Sequence, residues 1–298
     1  EDLTQSSWLK INAGTGVSPA ITSNYAISPD GTQNASRVIL DAPSVSSSNI
    51  SMIRSNVSGL SNPHNSSVSF YVKSNTSDNY KILVYNGSLS PIEVIANNSW
   101  QRVQLSTTVN SSGDRIHLGL FDFGGILTDS YADISIWGAM LEQNSFSTSY
   151  IPTSGSSVTR QADTASGSGN SEVFNSQEGV LFLDTKALSN DGTTRTIGLS
   201  DGSNSNRIHF IYYSITNGYS VNYRVSDSTQ VAFTKLGNIL DYQKIAFKYK
   251  SGDFSLWYNG FEIDTDNNTN MMAQGVLNTL SFRQEPNPHN YFGKTKEI

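Results

Sequence analysis

The sequence contains no cysteine, which excludes disulfide scaffolds, thiol catalysis and thiolate zinc sites. No apolar run approaches the ~18 residues that a membrane-spanning helix requires, so we expect no membrane insertion. A P-loop, a dinucleotide-binding fingerprint and a G-x-S-x-G nucleophile elbow are also missing. We therefore expect no nucleotide cofactor and no serine-hydrolase chemistry.

Charge is scarce as well. Only 15% of the residues are charged, against the ~25% usual for soluble domains. The 19 Lys and Arg and the 25 Asp and Glu give a net charge of −6, and this balance disfavours nucleic-acid binding. Polarity comes from Ser, Thr, Asn and 23 Gly, alongside 10% aromatic residues. That composition is typical of extracellular β-proteins, so we expect an extracellular or virion-surface location.

Short runs of alternating apolar and polar residues recur along the chain, and no dozen-residue segment shows a helical period. In Ser67–Val72, for example, Val68, Phe70 and Val72 would all face one way. Gly, Asn, Asp and Ser separate these runs, as is typical of antiparallel sandwiches or barrels. The pattern predicts an all-β fold.

The sharpest local signal is Asn259-Gly260 between two β-rich runs, because a type I′ hairpin turn needs positive φ at both positions. The hairpin would pair Tyr258 with Phe261 and Trp257 with Glu262. Alternation then separates the side chains into two sets. The inward set would be Phe254, Leu256, Phe261 and Ile263, and the outward set Trp257, Glu262 and Asp264.

Residues 153–170 are rich in Ser, Thr and Gly and lack large apolar side chains, which predicts an extended linker. The linker separates a first domain, residues 1–152, from a second domain, residues 171–298. The two halves share no repeat that can be aligned, so we expect two different modules.

Residues 136–163 read IWGAMLEQNSFSTSYIPTSGSSVTRQAD. This segment resembles the run WGAQLE…TSYIPT…VTRxAD of bacteriophage tail-fibre and minor tail proteins, where it closes a jelly-roll module similar to carbohydrate-binding modules. The matching residues are Trp137, Gly138, Glu142, Phe146, Tyr150, Ile151, Pro152, Arg160 and Asp163. Segments at 7–8, 29–32, 70–73 and 99–102 are similar to other strands and turns of that module.

In the second half, residues 200–208, Lys244–Tyr249 and Tyr258–Gly260 resemble the concanavalin A-like, laminin G-type module that often follows in such phage proteins. The two resemblances together imply two antiparallel β-sandwich (jelly-roll) domains in tandem, the second concanavalin A-like. The last residues, 291–298, are similar to the start of that module's closing strand. We therefore expect the second domain to be truncated there and the parent protein to continue.

The strongest candidate for catalysis is Glu262-Ile263-Asp264-Thr265-Asp266, which resembles the E-x-D-x-E strand of retaining glycosidases built on this sandwich. Alternation would put the three carboxylates on one face, yet positions i and i+4 lie ~13 Å apart along a strand. A retaining glycosidase needs two carboxyl groups ~5–5.5 Å apart. The histidines show no metal-type spacing: they are His64, His117, His209 and His289. We expect a protein that is not an enzyme.

Sugar binding needs aromatic faces for the apolar side of a pyranose and polar groups for its hydroxyls. Alternation leaves further polar side chains outward on two strands: Arg207, His209, Tyr213, Asn222 and Arg224. The predicted carbohydrate-binding residues are Trp257, Glu262, Asp264, Tyr213, Arg207 and Arg224. As an alternative to sugar binding, Trp257 could pack under a neighbouring loop or at a subunit interface. Trp100 and Trp137 are expected to be core residues on strands of the first module.

Calcium is common in both of the modules that the chain resembles, because carboxylates and loop carbonyls suit its preference for oxygen. The candidate ligands are Asp129, Asp133, Asp201 and Asp266. No dense acidic loop is present, so we predict no metal site and expect at most a structural calcium ion.

The resemblance implies a non-catalytic virion protein, from a phage tail fibre or a surface decoration, that binds host-surface or extracellular glycans. The expected partners are a polysaccharide or cell-surface glycan and other virion subunits, and a homo-oligomer is compatible with this role. Two alternatives stay open. The chain could be the binding part of a polysaccharide-degrading enzyme or tailspike, or a purely structural virion spacer.

Overall fold

The computed structural model describes residues 2–87, 91–126, 128–153, 156–159, 168–213, 217–283 and 289–298. The regular elements in these ranges are β-strands, and the strands pair antiparallel. The prediction of an all-β fold is therefore confirmed. Among the described residues, no helix has the length and apolar character needed to cross a membrane. The chain divides into two compact units, residues 1–161 and 162–298.

The first unit has two facing sheets. Its strands are β1 (Trp8–Ala13), β2 (Val17–Ile27), β3 (Gln33–Asp41), β4 (Ile50–Ser58), β5 (His64–Ser74), β6 (Tyr80–Tyr85), β7 (Ile92–Ala96), β8 (Gln101–Val109), β9 (Gly113–Leu120) and β10 (Tyr131–Glu142). One sheet has the order β1-β4-β9-β6-β7 and the other β2-β3-β10-β5-β8. Ile53 and Leu118 of the first sheet share a buried cluster with Phe70 and Ile134 of the second. The sheets therefore pack as a sandwich.

The second unit repeats this architecture with other strands. They are β11 (Glu178–Ala187), β12 (Arg195–Ser200), β13 (Arg207–Tyr213), β14 (Gly218–Val225), β15 (Ser228–Leu236), β16 (Gln243–Lys250), β17 (Phe254–Tyr258), β18 (Phe261–Asp266), β19 (Thr279–Ser281) and β20 (Gly293–Glu297). The sheet orders are β18-β17-β16-β11-β20 and β15-β14-β13-β12-β19. Phe247 and Leu256 of one sheet meet Phe210 and Val221 of the other in one buried cluster.

The run that carries the phage resemblance covers the outer side of β10. Trp137 is 4% exposed, and its ring centroid lies 5.4 Å from that of Tyr71 and 4.4 Å from that of Tyr150. Gly138 has φ of 65°, and a Cβ there would come within 3.2 Å of the Tyr150 ring. The predicted burial of Trp137 is confirmed, although it is Ile136 that belongs to the cluster between the sheets.

Trp100 was predicted to be a core residue on a strand, and this prediction was wrong. It precedes β8 and is half-buried. Its indole Nε1 donates to the Ile27 carbonyl at 3.0 Å, and the Lys73 ammonium lies 5.2 Å above its ring. An indole has a polar N–H that needs an acceptor, and this acceptor lies at the surface.

The Asn-Gly hairpin forms as predicted, with φ of 48° at Asn259 and 90° at Gly260. Tyr258 pairs with Phe261 and Trp257 with Glu262. Phe254 and Leu256 are buried as expected, but Phe261 is 75% exposed and Ile263 is 36% exposed. The inward prediction for Phe261 and Ile263 was wrong because β18 is an edge strand, almost wholly exposed, that lies beyond the apolar layer.

Two further predictions concern the ends of the second domain. The predicted linker, residues 153–170, lies mostly outside the described residues, so its extended form stays a prediction. Gly293–Glu297, within the run expected to begin a closing strand, forms β20. This strand pairs with β11 at the edge of its sheet.

Replacing Phe254 by alanine should lower the free energy of unfolding by about 3–5 kcal/mol, because a buried ring leaves a cavity. Phe261→Ala, on the same hairpin, should change it by less than about 0.5 kcal/mol, since that ring is already 75% exposed. Urea unfolding measures both. If the two variants lose the same free energy of unfolding, the Phe261 ring packs in the core.

Candidate functional site

The outer side of the β18-β17-β16-β11-β20 sheet carries the predicted aromatic platform. Trp257 is 38% exposed, and its Nε1 donates to the Ser255 hydroxyl at 2.9 Å. Its cross-strand neighbours are Glu262 on β18 and Ala246 on β16. Phe182 on β11 is the next cross-strand neighbour of Ala246, so these four residues form a row across the sheet. Trp257 and Glu262 therefore lie together on one outer face, as the sequence predicted.

Asp264 does not share that face. The register shifts between Leu256 and Trp257, so that Leu256 pairs with Asp264 and Phe254 with Asp266. Directly paired residues of antiparallel strands share a face, and Leu256 and Phe254 point into the core. The extra residue of the bulge thus separates Glu262 from Asp264 and Asp266. The expectation of three carboxylates on one face was wrong.

Arg207 and Arg224 lie side by side on the other sheet of the second unit. They are direct cross-strand partners, and they lie on the face of the sheet opposite to the buried Ile208 and Tyr223. Arg207 is 6% exposed and donates through Nη1 to Asn204 Oδ1. Of the six predicted site residues, Trp257 and Glu262 therefore lie on one outer face of this sandwich, and Arg207 and Arg224 lie on the other. The side chain of Tyr213, at the end of β13, lies outside the described residues.

His209 lies two residues beyond Arg207 on the same face of β13, opposite Asn222 of β14, and is 4% exposed. Burial, followed by the charges of Arg207 and Arg224, lowers its pKa from 6.5 to about 3. Gly198 is its cross-strand partner, and a Cβ there would lie 2.7 Å from the imidazole Cδ2. The glycine therefore makes room for the ring. We call Arg207, His209 and Arg224 the Arg207–His209 face.

A matching surface in the first unit was missed by the sequence reasoning. Arg54 on β4 and Tyr85 on β6 are both cross-strand partners of His117 on β9, while Ile116 and Leu118 point into the core. His117 is 9% exposed, and burial together with Arg54 and Arg115 lowers its pKa from 6.5 to about 4. We call Arg54, Tyr85, Arg115 and His117 the Arg54–His117 face.

Aromatic side chains border this face on one side and a cleft borders it on the other. The Tyr85 ring lies 5.2 Å from the His117 ring and 5.1 Å from the Phe123 ring, and both Tyr85 and Phe123 are half-buried. The cleft has a volume of about 450 Å³. Its lining residues are Arg54, Asn56, Val57, Ser111, Gly113, Asp114 and Arg115.

Both faces contain buried polar atoms whose hydrogen-bonding capacity is unused within the described part of the chain. In the first unit they are His117 Nε2 and Arg54 Nε. In the second unit they are His209 Nδ1, Arg224 Nε and Ser220 Oγ. A buried polar group without a partner costs about 1–3 kcal/mol, so each of these atoms lowers the stability of its unit.

One sequence signal could have found the first face. Arg115-Ile116-His117 and Arg207-Ile208-His209 are the same tripeptide, and strand alternation sends Arg and His outward in both. The second arginine of each face comes from a neighbouring strand. No local pattern reveals that pairing.

The four candidate calcium ligands are used in other hydrogen bonds. Asp133 accepts bonds from Arg37 and Asn75, and the Arg37 guanidinium lowers the pKa of Asp133. The other three accept backbone N–H groups: Asp129 from Lys81, Asp201 from Ser203 and Asp266 from Asn268. Across the described ranges, no group of three or more His, Asp or Glu side chains is arranged to hold a metal ion.

No described protein family matches the sequence, and no curated protein matches it. Among solved structures, the enzymatically active domain of tailspike protein 4 of bacteriophage CBA120 is 12% identical with a TM-score of 0.32, over 46% of this chain and 19% of that one. A CBM4 structure is 14% identical with a TM-score of 0.29, over 43% of this chain and 87% of that one.

A third structure holds the CBM22-1 and GH10 modules of Clostridium thermocellum endo-1,4-beta-D-xylanase 10B with xylohexaose. It is 13% identical with a TM-score of 0.31, over 49% of this chain and 28% of that one. The match thus spans less than a third of the tailspike and xylanase chains.

The lowered histidine pKa values should make the protein less stable in mild acid. As the pH falls below 6.5, unfolded imidazoles bind protons, whereas His117 stays neutral to about pH 4 and His209 to about pH 3. The unfolded state then binds more protons, so the free energy of unfolding decreases with falling pH. The double variant His117→Gln, His209→Gln should show a flatter decrease over this window. Urea titrations at each pH measure the free energy of unfolding. If that free energy decreases equally with falling pH in the double variant and in the unmodified protein, the two histidines do not cause the decrease.

Proposed function

We propose that this protein binds host-surface or extracellular glycans and catalyses no reaction on them. The observation that carries the proposal is the Arg54–His117 face, where aromatic rings and unsatisfied polar atoms lie side by side. The half-buried Tyr85 and Phe123 rings offer apolar surfaces, and Arg54, Asn56 and His117 offer hydrogen-bonding groups. This is the combination that a pyranose needs, because it has apolar faces and a rim of hydroxyls.

The second unit offers a platform of the same chemical kind. Trp257 is 38% exposed, with Glu262 beside it on the outer face and Phe182 further along the row. An exposed indole next to a carboxylate can hold a sugar ring by stacking and by a hydrogen bond to a hydroxyl. One chain would therefore hold a polysaccharide at more than one place.

A virion-surface role follows from the same proposal. Open, shallow sites bind single sugars weakly, and several linked sites raise the overall affinity through their effective concentration without new contacts. A tail fibre or surface decoration carries many copies and would supply this multivalency. The resemblance of residues 136–163 to tail-fibre modules supports this location, and other virion subunits would be the protein partners.

Replacing Tyr85 by alanine should weaken binding to a recognised glycan by about tenfold, or about 1.4 kcal/mol, because the stacking surface is lost. Tyr85→Phe should retain most of the affinity. A glycan array identifies the ligand, and isothermal titration calorimetry measures the change.

Tyr25→Ala is the matched control, because Tyr25 is 42% exposed and lies on β2, in the other sheet. Thermal unfolding of all three variants separates a binding defect from a folding defect. If the intact chain binds no glycan on a broad array, the chain is better explained as a structural spacer. If Tyr85→Ala and Tyr25→Ala bind equally well, the site lies elsewhere.

The alternative of an enzyme is tested by release of reducing sugar from a panel of polysaccharides. We expect no release by the chain or by Glu262→Gln, because the bulge places Glu262 on a different face from Asp264 and Asp266. Release by the intact chain that Glu262→Gln abolishes would refute the non-catalytic proposal. Release that persists in that variant would also refute it and would place the catalytic group elsewhere.

A further inference from the structure

Both units carry two arginines and a histidine on one outer face, although the cross-strand pairing differs between the units. Arg115 and His117 project from β9 on either side of the buried Ile116, with Arg54 from β4 beside His117. In the second unit Arg207 and His209 flank the buried Ile208, and Arg224 projects from β14 beside Arg207. In each unit the Arg-Ile-His strand thus receives a second arginine from a neighbouring strand, which is compatible with a shared chemical task.

The guanidiniums of Arg54 and Arg115 have no acidic partner within the described residues. The ion pairs found there involve neither Arg54 nor Arg115. Asp114 lines the same cleft, but its carboxylate is committed to the backbone N–H of Arg115 at 2.7 Å and to His64 Nε2 at 3.4 Å. In the part of the chain that the structure describes, neither of the two positive charges at this cleft forms an ion pair.

In the second unit, Arg224 forms only a weak ion pair. Arg224 lies 4.0 Å from Asp227, whose side chain is 71% exposed. Arg207 donates to the neutral amide of Asn204. An exposed ion pair of this length contributes little free energy, so an arriving anion can compete with Asp227 for the Arg224 guanidinium.

We infer that the glycan is acidic, and that each unit holds one carboxylate or sulfate group of it between two arginines. The first group would lie at Arg54 and Arg115 and the second at Arg207 and Arg224. This inference rests on the proposed function and names the class of ligand. Guanidiniums bind carboxylate and sulfate groups through charge-assisted, paired hydrogen bonds.

The test compares polysaccharides that share a backbone and differ in charge. The pairs are polygalacturonate with its fully methyl-esterified form, and dextran sulfate with dextran. Titration of the full chain should show binding to an acidic member on the order of tenfold tighter than to its neutral counterpart. The preference should shrink between about 0.01 M and about 1 M salt, where the screening length falls from about 30 Å to about 3 Å. The two pairs separate a carboxylate site from a sulfate site.

Variants then assign the effect to the two arginine pairs. Arg54→Gln combined with Arg224→Gln should remove the preference for the acidic member and lower affinity for it on the order of tenfold or more. The matched control is Lys10→Gln combined with Lys244→Gln, which removes the same charge from two exposed positions on β1 and β16. It should retain the preference. Thermal unfolding checks that both double variants are folded.

Three results would overturn the inference. Equal binding to the acidic and neutral members of both pairs would refute an acidic ligand while leaving glycan binding intact. An equal loss in the lysine control would show that net charge, and not the arginine pairs, attracts the polymer. Binding to none of the four polymers, together with an empty glycan array, would overturn both the inference and the proposed function.

Discussion

The arrangement of every surface described here depends on the burial of alternate strand residues between two facing sheets. Ile116 is 4% exposed and Ile208 is 0% exposed, and burying one such side chain is worth about 1.5–3 kcal/mol. A slip of one residue would bring the isoleucine out and drive its charged neighbours into the core. The core therefore fixes which way Arg115, His117 and their counterparts in the second unit project.

Alternation is a local property, which explains why the sequence predicted much of the fold. It correctly placed Val68, Phe70 and Val72 on one face, which the structure buries, and it placed Arg207 and Arg224 outward. The Asn-Gly turn was equally readable, because its positive φ values restrict the residues that fit. For these features a strand's own residues carry all the information.

The remaining features depend on contacts that no strand's own residues record. The bulge that separates Asp264 from Glu262 is set by the pairing of β17 with β18, and the exposure of Phe261 follows from the edge position of β18. The Arg54–His117 face requires β4 to lie beside β9, strands distant in sequence. The sequence therefore identified the second unit's arginines and the tryptophan, yet it missed the surface that best fits a sugar.

The chemistry of the two basic faces also explains why each contains a histidine and not a third permanent cation. A buried charge between two guanidiniums would suffer both desolvation and repulsion. An imidazole avoids both because its pKa is lowered, to about 4 for His117 and about 3 for His209. At neutral pH it is an uncharged group with one donor and one acceptor, which suits it to a hydroxyl beside an anionic group.

An acidic ligand is compatible with a chain whose net charge is −6. At physiological salt, exposed charges farther apart than ~8 Å are largely screened, so the distant carboxylates contribute little to contact with a ligand. The local pairs Arg54–Arg115 and Arg207–Arg224 dominate at that range. The net charge affects the association rate instead, because an acidic protein gains no long-range attraction toward an acidic polymer. Slow capture combined with several weak contacts then gives binding that depends on copy number, as the proposed virion-surface role would require.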